Sequence, residues 1–125
     1  MEKVRVGIIG IGNMGSAHAR NLIAGKVPGA ELAAVCDLRP ERLDWAKEVL
    51  GEEVQRFAAP EELFRAKVID AVMICTQHYD HPPLAIQAFD NGLHVLTEKP
   101  AGVYTKQVRE MNEAAAKSGK VFCIM

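Results

Sequence analysis

The chain has no apolar run approaching the roughly 18 residues that a bilayer span requires, and its amino terminus lacks a signal-peptide layout. It also has almost no net charge. Fifteen basic residues against 16 acidic ones leave a formal −1 at pH 7, which gives no electrostatic reason to expect nucleic acid or an anionic membrane as partner. Cysteine is sparse. Cys36, Cys75 and Cys123 fall in separate expected strands without C-x-x-C spacing, and read as reduced structural thiols of a cytoplasmic protein. No histidine pair has metal-ligand spacing with nearby cysteines or carboxylates, so no metal is expected, and there is no G-x-S-x-G or other nucleophile signature. Repeats, low-complexity tracts and linkers are missing too. What remains is an ordinary globular composition, 49% hydrophobic and 25% charged over 125 residues. That is one domain, large enough to bury roughly two-thirds of its unfolded surface.

Within this plain background one stretch stands out, KVRVGIIGIGNMG from Lys3 to Gly15. Val4, Val6, Ile8 and Ile9 make the short β-branched run of a fully buried parallel strand. It leads directly into Gly10, Gly12 and Gly15, spaced G-x-G-x-x-G. In a dinucleotide-binding turn one such glycine permits the tight bend, one lets a pyrophosphate approach the backbone, and one lets the next helix pack on the strand. Asn13 and Met14 lie inside the turn, where the helix opens and aims free N–H groups and its positive dipole end at an anion.

Strand and helix patterns then alternate to the end. A first helix carrying Ala17, Ala19, Leu22 and Ile23 inward is expected to end near Gly25, followed by a turn at Pro28-Gly29. Strands are expected at Glu31–Asp37, Glu53–Ala58, Ile69–Thr76, His94–Thr97 and Val121–Met125. Between them, Pro40 opens a helix with Leu43, Ala46, Val49 and Leu50 as its buried stripe and Gly51 as its cap. Pro60 opens a brief helix through Phe64. Asp80 is a candidate cap for a helix with Pro82 and Pro83 in its first turn and Leu84, Ala85, Ala88 and Phe89 buried, stopping at Asn91-Gly92. Thr105 is a candidate cap for the last helix, which places Val108, Met111 and Ala115 on one face and ends at Gly119. Such alternation predicts an α/β fold, a doubly wound parallel six-stranded (Rossmann) sheet in the order 3-2-1-4-5-6. Its consequence is positional. The glycine turn, Asp37, the Thr76–His81 segment and Glu98-Lys99 all follow carboxyl ends of strands, the rim where open α/β sheets bind ligands.

Asp37 lies 22 positions after Gly15, close to the ~20 expected of an acid that bonds the adenosine ribose. A carboxylate there accepts from both ribose hydroxyls and repels a 2′-phosphate, which favours NAD over NADP. The plainer alternative is a capping aspartate before Pro40. Arg39 complicates the reading, because an arginine at that point either lies over the adenine or tolerates a phosphate.

The segment TQHYDHPPLAIQAFDNGLHVLTEKP, Thr76 to Pro100, brings a resemblance into view. Thr76 and His81 in the pattern T-x-x-x-x-H, the alanine-rich helix with Ala85 and Ala88, Gly92-x-His94-Val95, and Glu98-Lys99-Pro100 resemble the glucose–fructose oxidoreductase/inositol dehydrogenase group of NAD(P)-dependent oxidoreductases. The glycine turn followed by His18 matches as well, so the resemblance covers essentially the whole chain. His78 departs from the pattern, which more often has asparagine there. The resemblance implies that Glu98 and Lys99 sit beside the nicotinamide ribose, with Lys99 as the catalytic residue reaching the reacting hydroxyl. Physical chemistry favours the same role: a lysine in a water-poor crevice facing a cationic nicotinamide has a lowered pKa, and can share the hydroxyl proton or stabilise an alkoxide. His81, at a helix start, is either a cofactor-side hydrogen-bonding group or a simple cap. His18 reads as support for the glycine turn, and His94 as a satisfied structural histidine.

Relatives of this pattern carry a second, larger α/β domain that holds a sugar or polyol substrate, and the chain lacks it. The expectation is therefore the cofactor domain of a dehydrogenase acting on a secondary alcohol of a sugar, cyclitol or related polyol, inactive alone, with an exposed apolar face that favours a homo-oligomer. Two alternatives stand beside it: a self-contained NAD-binding or redox-sensing module, and the cofactor domain of an NAD-dependent glycosidase.

Overall fold

The computed structural model describes residues 3–27, 29–76, 81–97 and 105–124. Six parallel strands, β1 (Val4–Ile9), β2 (Ala30–Cys36), β3 (Gln55–Phe57), β4 (Ala71–Ile74), β5 (His94–Thr97) and β6 (Phe122–Ile124), form one sheet in the order β3-β2-β1-β4-β5-β6. Five helices connect them: α1 (Asn13–Ile23), α2 (Pro40–Leu50), α3 (Pro60–Arg65), α4 (His81–Asp90) and α5 (Thr105–Ser118). The expected strand order is the observed one. The strands are shorter than expected at several ends; β3 keeps only three residues of the six anticipated, and β4 loses Ile69, Asp70, Cys75 and Thr76 to its flanks.

Period-two alternation along β1 divides the interior into two layers. Val6 and Ile8 face α1 and α2, where Ala19, Leu22, Ala46 and Leu50 complete one cluster. Ile9 faces the other side, with Leu63 and Phe64 of α3 and Leu84, Ala85, Ala88 and Phe89 of α4. Gly7 faces that side as well, and Ile69 fills the space its side chain would take, since a β-carbon there would lie 2.9 Å from the Ile69 Cδ1. β4 is buried at every position, as a strand covered on both faces must be, and its unbroken apolar run is the signature of that burial.

Two expected helix stripes need correction. In α1 the inward residues are Gly15, Ala19 and Leu22, while Ala17 and Ile23 are exposed. In α2, Val49 is exposed and half-buried Trp45 takes part in the packing instead. Both follow from docking: each helix meets the sheet along a narrow strip, and apolar residues outside it (Ala17, Ile23 and Val49) point to water. The α4 stripe and the helix-ending positions agree with expectation; Gly25, Gly51, Gly92 and Gly119 each have positive φ. Asp80 and Pro28 lie outside the described residues, as does Met125, while Pro82 and Pro83 stand in the first turn of α4. No helix among the described residues is long and apolar enough to cross a membrane.

Candidate functional site

The strand order reverses between β1 and β4, and there the helices leave the sheet in opposite directions. At the carboxyl ends of these strands lies a cleft of about 1040 Å³, lined among others by Gly10, Gly12, Asp37, Arg39, Thr76 and Leu84. This is the switch-point crevice of an open α/β sheet.

The glycine turn forms its floor. Gly10 follows β1 with φ +89° and donates its N–H to the Cys36 carbonyl at 2.8 Å. A side chain at this position would meet the Cys75 carbonyl and the Thr76 Cγ2, both at 2.9 Å. Gly12 caps α1 with its backbone alone, and no acidic residue lies in the first helical turn. No carboxylate of α1 itself therefore offsets the positive end of its dipole. A β-carbon on Gly12 would meet nothing closer than the Arg39 Nη2 at 3.7 Å, so the backbone here is open to a ligand. Gly15 is the opposite case, since a β-carbon there would run into the Gly10 carbonyl oxygen. The three glycines thus differ in local geometry: a tight turn at Gly10, uncrowded backbone at Gly12 and close packing at Gly15. Asn13 and Met14 open α1 at the same place.

Asp37 stands immediately after β2 and is only 7% exposed. Its Oδ2 accepts from the Ile11 N–H at 3.0 Å. Oδ1 accepts from the Arg39 N–H at 2.9 Å. The Arg39 guanidinium closes on both oxygens, Nε to Oδ1 and Nη2 to Oδ2, each at 3.1 Å. Burial by itself would raise the carboxyl pKa. The side-chain bond from Arg39, with the two backbone donors, outweighs that and holds it below the ordinary 3.8. Asp37 is therefore an anion, pinned in place by the turn it faces. The capping role for Asp37 is not what the geometry shows: α2 begins at Arg39 and Pro40 without a side-chain cap.

Some residues at the site carry no sequence signal. Arg42 reaches back from α2 to donate Nε–H to the Ile11 carbonyl at 2.7 Å. Its guanidinium lies 4.9 Å from the centre of the Trp45 ring, and Arg20 of α1 lies 5.4 Å from it. Leu38, 78% exposed, offers an apolar side chain at the cleft rim. The pattern D-L-R-P-E-R held both, but only the folded turn brings position 42 to position 11. Cys36 also borders the cleft, yet burial first, and then the nearby Asp37 charge, push its thiol up to about 12, which makes it inert as a nucleophile.

Of the other expected site residues, Thr76 lies in the cleft wall and His81 is the first residue of α4. His78, Glu98, Lys99 and Pro100 lie outside the described residues. His18 lies half-buried on α1. His94 accepts the Val121 N–H on Nδ1 at 3.0 Å, a structural role at the far end of the sheet. Among the described residues no group of three or more His, Cys, Asp or Glu side chains is arranged to hold a metal ion.

Comparison with known proteins agrees with this geometry. A family model described as an oxidoreductase family with an NAD-binding Rossmann fold matches residues 4–125. The inositol 2-dehydrogenase of Rubrobacter xylanophilus is 37% identical over 119 residues, covering 95% of this chain and 33% of that protein. A glycosyl hydrolase family 109 protein of Saccharopolyspora erythraea is 33% identical over 125 residues, covering 94% of this chain and 27% of that one. Among solved structures, scyllo-inositol dehydrogenase from Lactobacillus casei, with bound NAD(H) and scyllo-inositol, superimposes with a TM-score of 0.92 at 30% identity, covering 98% of this chain and 36% of that one. The chain spans about a third of the length of the relatives it matches.

Proposed function

Because the chain belongs to the oxidoreductase family with an NAD-binding Rossmann fold, we propose that it is the cofactor-binding part of an enzyme that moves hydride between NAD and a secondary alcohol of a cyclitol, sugar or related polyol. The observation that carries the cofactor assignment is the pairing of an open glycine turn with a buried carboxylate on one cleft. The turn fits a pyrophosphate: its middle glycine has no side chain to block approach, and a helix start with no acidic residue in its own first turn lies behind it. Asp37 fits a ribose diol and repels a 2′-phosphate, which supports NAD over NADP. The substrate class rests on the relatives, whose names include inositol dehydrogenases.

When bound, NAD supplies the hydride acceptor. The contributions of the chain are positional and protonic. Gly12, Asn13 and Met14 would hold the phosphates on the turn that Gly10 and Gly15 shape, Asp37 and Arg39 would frame the adenosine ribose, and Thr76, His81 and Glu98 would border the nicotinamide half. Lys99 Nζ exchanges a proton with the reacting hydroxyl. The substrate itself would be held with a second domain, and the buried thiol of Cys36 suits a reducing cytoplasmic setting. Titration with NADH and NADPH, followed by nicotinamide fluorescence, tests the proposal. Saturable binding with NADH preferred supports it; tighter NADPH binding removes the assigned role of Asp37, and no binding of either removes the site. The glycosyl hydrolase family 109 relative favours a second reading, cleavage of a glycoside with NAD as a transient participant. Release of free sugar from a glycoside by the intact enzyme, without net reduction of NAD, distinguishes it.

A further inference from the structure

Asp37 has no vacancy for the ribose that the proposed function assigns to it. An ionised carboxylate offers about four acceptor positions, and Asp37 uses four: the Ile11 N–H, the Arg39 N–H, and the Nε–H and Nη2–H of the Arg39 guanidinium. The two backbone donors belong to the turn and orient the carboxylate. The two guanidinium donors fill the remaining places, one on each oxygen, in the flat two-pronged arrangement that a vicinal diol also presents. Ribose and guanidinium therefore compete for the same two lone pairs.

Exposure says which partner yields. The Asp37 side chain is 6% exposed and that of Arg39 is 55% exposed. Asp37 is further tied by its own N–H to the Phe57 carbonyl at 3.2 Å. Among the described residues the Arg39 side chain hydrogen-bonds to Asp37 alone, and its Nη2 stands over Gly12, in the path of an incoming dinucleotide.

We propose that Arg39 is a displaceable stand-in for the ribose diol, which weakens NAD binding by occupying Asp37 and, once displaced, supplies the counter-charge that a 2′-phosphate needs. Arg39 thus narrows the discrimination that Asp37 creates. For NAD, the pair with Asp37 must be broken before the ribose is bonded. For NADP the same displacement brings a return, because a free guanidinium meets the phosphate bidentately. The inference rests on the reading of this cleft as a dinucleotide site.

The test is titration of the wild type, Arg39→Ala, Arg39→Lys and Asp37→Asn with NADH and NADPH at one ionic strength, by nicotinamide fluorescence. Arg39→Ala is expected to bind NADH about two- to fivefold tighter, the weight of a partly exposed ion pair. It is expected to bind NADPH about five- to tenfold more weakly. Arg39→Lys, which keeps the charge and loses the fork, is expected to gain NADH affinity while retaining most of its NADPH affinity. In the wild type, the Arg39 Nε–H resonance is expected to shift on addition of NADH. Unchanged or weaker NADH binding by Arg39→Ala, with Asp37→Asn still impaired, overturns the competition and leaves the cofactor site standing. A wild type that does not bind NADH, or an Asp37→Asn variant that binds it as well as the wild type, overturns both.

Discussion

The α-carbon of Gly15 is turned toward the carbonyl oxygen of Gly10 so closely that α1 and the end of β1 leave no room for a single methyl group between them. At Gly12, two positions beyond Gly10, a β-carbon would meet nothing closer than the Arg39 Nη2 at 3.7 Å. Glycines of one motif are thus under different constraints: internal packing demands one at Gly15, and no such crowding exists among the described residues at Gly12. Gly15→Ala is expected to destabilise the fold by about 1–3 kcal/mol, since backbone must shift to admit the methyl. Gly12→Ala is expected to stay within about 0.5 kcal/mol of the wild type, yet to lose about tenfold or more in NADH affinity. Urea denaturation and NADH titration of both variants check the contrast, which is absent if the two lose stability equally.

Arg42 supports the turn from behind, bonding the Ile11 carbonyl while stacked against Trp45. Its removal should loosen the turn without touching the charge on Asp37. Arg42→Ala is therefore expected to weaken NADH and NADPH by a common factor of about three to ten, and to shift the emission of Trp45, the single tryptophan of the chain. A changed NADH-to-NADPH ratio would instead give Arg42 a direct part in cofactor choice.

Thr97 is fully buried at the end of β5, and its Oγ1 has no hydrogen-bond partner among the described residues. A buried unpaired hydroxyl costs about 1–3 kcal/mol relative to an apolar group of the same shape. Thr97→Val is accordingly expected to leave stability unchanged or to raise it within that range. Denaturant unfolding decides the matter, and a clear loss of stability would mean that the hydroxyl is satisfied.

At the opposite end of the sheet Asp70 accepts from the Arg5 N–H at 2.9 Å and from its Nε and Nη2 at 3.2 and 3.0 Å. The Arg5 side chain and then its backbone N–H hold the Asp70 carboxyl below its ordinary 3.8. A depressed folded-state pKa means stabilisation that is complete above about pH 4 and lost as pH falls through the depressed value. Both groups are nearly half exposed, so Asp70→Asn is expected to cost only about 0.5–1 kcal/mol at pH 7. That deficit should shrink as the pH drops below 3.8, where the wild type loses the same charge. Thermal melts of the two proteins across pH 2.5 to 7 follow it, and a deficit that does not change with pH would assign the effect to shape instead of charge.

Lys99→Ala in the intact enzyme is expected to lower kcat by about 10²–10⁴-fold, the usual weight of a positioned acid–base group, with NADH affinity nearly unchanged. Steady-state kinetics beside cofactor titration separate the two effects. An unchanged kcat takes Lys99 out of the mechanism.

Much of this molecule is legible in the linear chain because its signals are local. A β-branched run, a glycine triplet and an acid about 20 residues on each report a constraint that the backbone meets within its own neighbourhood, and the alternation of elements leaves few ways to wind the sheet. The strand order, the helix ends at Gly25, Gly51, Gly92 and Gly119, the tight turn at Gly10 and the close packing at Gly15 were open to reading in this way. The buried faces were less so. Ala17, Ile23 and Val49 are apolar and near the right spacing, but a helix meets its sheet along one narrow row, and which row is a matter of docking, not of period.

By itself the sequence determined the kind of fold and the rim at which the glycine turn and Asp37 meet, since hydrophobic period, turn chemistry and chain direction suffice for both. Tertiary structure alone decided how that rim is set. The grip of Arg39 on both Asp37 oxygens and the reach of Arg42 to Ile11 depend on distances of about 3 Å between groups that the chain brings together only when folded. Hydrogen bonding is short-ranged and directional, so residue order cannot show where such contacts fall.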